Sequence, residues 1–132
     1  MIVTQPAATA AVRVHRAETA TSATPGAPLV LGVDGELDDR TAAAFTARLA
    51  VVAGVGDGPD VLLDLGRLYR LDEAGLGAIA KAAATLARRG RRLVLTSVRP
   101  RVREFLALAG AEALVPVFPT PEEAARHLRL AR

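Results

Sequence analysis

The chain contains no cysteine. That excludes disulfides, thiolate metal sites and cysteine nucleophiles together, and fits a reducing compartment. Tryptophan is also absent, and the aromatics are Tyr69, Phe45, Phe105 and Phe118. A core must therefore be built from Ala, Val and Leu, which are abundant enough in 132 residues to argue against a disordered chain. No basic segment followed by a long apolar run opens the chain, so no signal peptide is read. No window reaches membrane-spanning length: residues 42–56 come nearest and are interrupted by Arg48, so no membrane insertion is expected. Lysine occurs once, as Lys81, so the net charge of +3 is carried by arginine. That excess reads as composition before it reads as a nucleic-acid signal.

Enzyme constellations are missing too. There is no phosphate loop of the GxxxxGK[ST] type and no GxGxxG after a strand; Gly75-Leu76-Gly77 is only a GxG. The serines, Ser22 and Ser97, lie in no GxSxG elbow. His15 and His127 fall in an edge strand and a terminal helix, where surface roles are expected. Asp34, Glu36, Asp38, Asp72 and Glu73 collect after predicted strands. They could meet at the carboxyl ends of a parallel sheet as an acid pair or cation site, but Asp there is first a turn and cap residue. No cofactor, metal or catalysis is expected.

The pattern that is present alternates strands with helices. Residues 1–10 are expected to be loosely held and 11–132 to form one domain. Alternation over Ala11–His15 predicts a short edge strand, followed by a loop from Thr19 to Pro28. Leu29–Val33 predicts a strand ended by Gly35, with Asp38 and Asp39 as helix caps. Ala42, Phe45, Leu49 and Val52 mark one helix face. Val61–Leu65 reads as a buried strand, Gly66–Leu71 as irregular, and Leu76–Arg89 as a helix stopped at Gly90 with Leu76, Ile79, Ala80, Ala83 and Leu86 inward. Arg92–Thr96 is a strand, Pro100 begins a helix with Val102, Phe105, Leu106 and Ala109 inward, and Leu114–Phe118 is an edge strand limited by Pro116. Thr120-Pro121-Glu122-Glu123 starts the last helix. The expected fold is a mixed, mainly parallel sheet of about five strands with about four helices, the first strand pair being antiparallel.

Two segments carry a family resemblance. Gly35-Glu36-Leu37-Asp38, with Thr41-Ala42 after it, lies between a strand and a helix. Leu63-Asp64-Leu65 is followed, after a spacer, by Leu71-Asp72-Glu73-Ala74-Gly75-Leu76-Gly77 at a helix start. Together they resemble the STAS domain, which includes the anti-sigma factor antagonists of bacteria, over roughly Ala11 to Arg129. The resemblance implies a cytoplasmic, non-catalytic module. Its partner surface would be Asp38, Asp39 and Arg40 with Asp72, Glu73, Ala74, Gly75, Leu76 and Gly77. The implied partner is an anti-sigma factor of the histidine-kinase-like ATPase type; the alternative is another STAS protein, a sensory assembly or a lipid transporter that the domain serves as accessory subunit.

In the best-known members of the family, the residue before the first glycine of this motif is a serine or threonine phosphorylated by the partner kinase. Here it is Ala74, with Glu73 before it, so the loop shape is kept and the hydroxyl is lost. Glu73 reads either as partial mimicry of a phosphate or as an ordinary acid at a helix start. Thr41 is the best remaining hydroxyl. A nucleic-acid surface of Arg88, Arg89, Arg91, Arg92, Arg99, Arg101 and Arg103 is disfavoured by the shortage of aromatic stacking partners.

Overall fold

The computed structural model describes residues 11–17 and 26–130. The expectations for residues 1–10, and for most of the 19–28 loop, lie outside them. The described chain runs β1 (Val12–Arg16), β2 (Leu29–Leu37), α1 (Ala42–Ala53), β3 (Val61–Asp64), β4 (Leu68–Leu71), α2 (Glu73–Ala87), β5 (Leu93–Thr96), α3 (Pro100–Leu108), a short 3-10 turn, β6 (Val117–Phe118) and α4 (Pro121–Leu130). Strands β1-β2-β3-β5-β6 lie side by side, and β4 joins β2 off this path. Only β1 is antiparallel to its neighbour; the other pairings are parallel.

Alternation along the strands divides the core. Leu31, Val33, Leu63 and Leu95 point into a large cluster with Phe45, Leu49 and Ile79, so α1, α2 and α3 pack on that face. Val30, Leu62 and Val94 point the other way and meet Ala124 and Leu128 of α4. Burial on both faces is why β3 and β5 read as unbroken apolar runs.

Four details differ from the sequence expectation. The sheet has a sixth strand, β4, in the segment read as irregular; its four-residue length and exposed Tyr69 and Arg70 hid the buried pair Leu68 and Leu71. Gly35 does not end β2. It takes a φ of +102° at a register shift, which lets one strand bind β3 along its first half and β4 along its second. The helix α2 begins at Glu73 rather than Leu76, with Asp72 as its N-cap. The last strand is only Val117–Phe118, because Pro116 precedes it as expected and Leu114 is exposed. As expected, β6 lies at an edge, Pro100 opens α3, and the Thr120 hydroxyl accepts from the Glu123 amide at 3.2 Å.

Candidate functional site: the junction of β2, β4 and α2

The two motifs read from the sequence are brought together. Leu37 and Leu71 are register partners at the ends of β2 and β4. One residue further, the Asp72 amide donates to the Leu37 carbonyl at 3.3 Å. The Asp72 carboxylate then accepts from the Gly75 amide at 2.9 Å, meeting one of the otherwise open first-turn donors of α2. Glu73 follows at the positive end of the helix dipole. Gly75 is buried here, and a Cβ on it would stand 2.3 Å from the Leu37 carbonyl oxygen. The absence of a side chain is what lets the helix start sit on the end of β2.

Asp38 serves the same junction from inside. Its side chain is 1% exposed, so it shapes the surface rather than facing a partner, which corrects its place among the docking residues. Nor does it or Asp39 cap α1: the N-cap position is Thr41 and carries no side-chain cap bond. The Asp38 carboxylate accepts from the Arg40 amide at 3.0 Å and the Arg40 guanidinium at 2.9 Å, with the Arg70 Nε at 3.6 Å. The hydroxyl of Thr41 accepts from the Asp38 amide at 2.9 Å and donates to the Glu36 carbonyl at 2.8 Å. Buried and committed in both directions, it does not offer a kinase an open acceptor.

The Arg40 guanidinium holds the Asp38 carboxyl below its usual value; burial opposes this, and the Arg40 amide and Thr41 add to the lowering. The ionised form is therefore the one the fold prefers. This contribution is complete above the ordinary carboxylate value of 3.8 and is lost as pH falls through the lower folded value. Arg40→Gln is expected to move the Asp38 titration, followed by carboxyl carbon NMR, upward toward that ordinary value and to bring acid unfolding to higher pH. An unchanged titration would show that Arg40 does not set it.

Of the nine sequence-assigned residues, Asp39, Arg40, Glu73, Ala74 and Gly77 are exposed, Asp72 and Leu76 are half-buried, and Asp38 and Gly75 are buried. Two of the exposed members, Ala74 and Gly77, line a shallow groove between α1 and α2, where they and Lys81 face Ala42, Ala43 and Thr46. The α1 wall was not anticipated. The only sequence signal for it was a run of small residues flanking the buried stripe of each helix, Ala42, Ala43 and Thr46 on α1 and Ala74 and Gly77 on α2. Among the described residues there is no group of three or more His, Asp or Glu placed to hold a metal. The carboxylates have other partners: Asp34 lies 3.2 Å from the His15 imidazole, Glu36 meets Arg40 at 3.3 Å, and Asp72 caps α2. No helix among the described residues is long and apolar enough to cross a membrane.

The arginine set considered for nucleic acid is divided by the fold. Arg91 is 1% exposed. Arg92 bonds the buried Asp60 at 2.9 Å and the Leu128 carbonyl at 2.6 Å. Both are structural, and neither belongs to an open cationic surface.

Comparison with known proteins agrees with this geometry. A family model described as "Mlab, STAS domain" matches residues 20–116. A putative anti-sigma factor antagonist, BtrV of Bordetella bronchiseptica, is 32% identical over 103 residues, covering 78% of this chain and 88% of that protein. The crystal structure of an anti-sigma factor antagonist from Mycobacterium paratuberculosis superposes with a TM-score of 0.69 at 25% identity, over 96% of this chain and 99% of the other. The murine Solute Carrier 26 family member A9 anion transporter shares the fold at a TM-score of 0.71 and 16% identity; the match covers 93% of this chain but only 23% of the transporter. With its two motifs joined at one strand-to-helix junction, and with these matches over most of its length, the chain belongs to the STAS family.

Proposed function

We propose that this protein is a non-catalytic regulatory module that binds an anti-sigma factor of the histidine-kinase-like ATPase type and is not released by phosphorylation at the family's usual position. The docking surface is the exposed part of the junction, Asp39, Arg40, Glu73, Ala74 and Gly77, with the α1–α2 groove beside it. The observation that carries the reading is Ala74: it lies exposed in the first turn of α2, where a hydroxyl would be open to a kinase, and has a methyl group instead. Added phosphate there would place nearly two negative charges on the contact surface; without an acceptor the complex persists.

The test is to mix the protein with a cognate anti-sigma factor and ATP and to follow complex lifetime and intact mass. The wild-type chain should gain no phosphate and stay bound. Ala74→Ser should gain one phosphate and dissociate, at little cost to the fold because the position is exposed. A phosphate mapped to the wild-type junction, or no binding to any such kinase, overturns the proposal.

A second reading is suggested by the transporter that shares the fold: the same α1–α2 surface would then hold a transport protein. Recovery of a transport ATPase rather than a kinase with the wild-type chain, abolished by Gly77→Arg, would select it.

A further inference from the structure

A second surface lies on the other side of β4. Between that strand and α3 runs a groove lined by Leu71, Val102 and Phe105 together with Tyr69, Arg70, Arg101 and the side chain of Glu36 from the end of β2. Leu71 and Val102 are buried and Phe105 half-buried at its floor, while the surface left open is mostly polar: Tyr69, Arg70 and Arg101 are exposed at the rim and Glu36 is half-buried beside them. Arg99 stacks its guanidinium 4.5 Å from the centre of the Tyr69 ring and donates to the Gly66 carbonyl at 3.1 Å, which fixes the ring from one side. Tyr69 is 57% exposed, and the three phenylalanines are buried or half-buried, so it is the one open phenyl-type ring among the described residues.

The charge around this groove is one-sided. Arg67, Arg101 and Arg103 are exposed and, among the described residues, make no ion pair or hydrogen bond through their guanidinium groups. Arg99 meets the Gly66 carbonyl and the Tyr69 ring but, among the described residues, no carboxylate, and Arg70 meets an Asp38 carboxylate that Arg40 already holds more closely. The acids at hand are Glu36, which lines the groove but is paired with Arg40, the buried Asp38 beside Arg70, and Glu104 on α3. Five cations about one strand and one helix start outnumber the acids beside them, so the local charge balance is positive even with Arg70 partly matched by Asp38.

We infer that the β4–α3 groove is a docking site for an acidic protein segment, one that sets carboxylates against Arg70, Arg99 and Arg101 and lays an apolar side chain on Leu71, Val102 and the Tyr69 ring. Tyrosine and arginine around an apolar floor are the residues that dominate protein interfaces, and arginine matches carboxylate with paired donors. A nucleic-acid strand fits less well, because it needs several rings for successive bases and only Tyr69 is open at this groove. The inference does not rest on which partner occupies the α2 junction.

The test uses the full chain, labelled with nitrogen-15, and a synthetic peptide of alternating glutamate and leucine, with a glutamine-for-glutamate peptide and single-stranded oligo-dT as competitors. The acidic peptide should shift the amides of Tyr69, Arg70, Arg101 and Val102, and added salt should weaken it. Arg101→Glu, whose side chain has no partner to lose, should weaken binding about tenfold or more by placing like charges together. Tyr69→Ala should weaken it by a similar factor, and Arg126→Glu on α4 should leave it unchanged. Three results would each overturn the inference: no binding of the acidic peptide, equal binding of the glutamine peptide or of the Arg101→Glu variant, or oligo-dT producing the same shifts at lower concentration.

Discussion

Arg91→Met is expected to cost the domain about 3 kcal/mol of stability, a fall in melting temperature on the order of 10 °C. The side chain is 1% exposed and is among the largest fully buried ones in the molecule. Its Nε donates to the Pro59 carbonyl at 2.8 Å, one terminal nitrogen to Gly54 and Gly56 at 3.2 Å each, and the other to Ala53 at 2.9 Å. Ala53 is the last residue of α1, so the guanidinium sits on the negative end of that helix and ties down the loop that follows it. The α2 terminus positions Arg91 for this: Gly90 takes a φ of +70°, its amide bonds Ala87, and the Arg91 amide reaches back to Leu86 at 3.0 Å. Methionine fills much of the volume and satisfies none of the carbonyls, each of which costs about 1–3 kcal/mol where water cannot replace the donor. The loop around Gly54 and Pro59 is exposed, so water recovers part of the loss, and the total stays well below the sum. Arg91→Lys should restore little, because an ammonium group lacks the planar fork that reaches carbonyls in several directions. Urea denaturation measures both variants. A midpoint within error of wild type would show that the loop does not depend on the cation.

The two glycines of the Gly75-Leu76-Gly77 motif should respond to alanine with opposite signs. Gly75→Ala forces a methyl group against the backbone of Leu37, a contact at 2.3 Å that no side-chain rotation relieves. The start of α2 has to lift off the end of β2, at a cost of about 1–3 kcal/mol as for other overpacked sites, and the docking surface distorts with it. Gly77→Ala meets nothing within 4 Å and lies inside the helix. There the backbone freedom of glycine is only a liability, so alanine should stabilise by about 0.5–1 kcal/mol. If Gly77→Ala also abolishes partner binding while raising stability, Gly77 is kept bare for a partner's close approach. If binding survives, the glycine has no docking role. Thermal melts and partner titration on the same two proteins separate these outcomes, and equal destabilisation by both substitutions would refute the account of the junction.

Much of this was legible before any coordinates. The runs Val61–Leu65 and Arg92–Thr96, the face formed by Phe45 and Leu49, and the Thr120-Pro121-Glu122-Glu123 start each express a local rule of periodicity or capping, and each is found where it was read. Strand β4 was not legible. Its residues Leu68 to Leu71 are too few for alternation to stand out, and they become a strand only because the second half of β2 offers them hydrogen bonds. Gly35 misled for the same reason: a positive-φ glycine looks like a stop in one dimension, but in the sheet it is the bend that allows β2 to serve two partners. Asp38 and Arg91 were both placed on the surface because charged residues ordinarily lie there. Each is buried beside groups more than a turn away in space or in sequence, Arg70 in one case and the 53–59 carbonyls in the other.

The sequence alone determined the alternation of strands and helices, the aliphatic core, the two-motif site and the loss of the hydroxyl at position 74, because each of these depends on residue identity and short-range spacing. Only the tertiary structure decided which carboxylate faces inward, which arginines are spent on carbonyls and which stay exposed at the surface. Those outcomes depend on which distant backbone groups lie within a few ångströms of a side chain, a quantity that chain order does not contain.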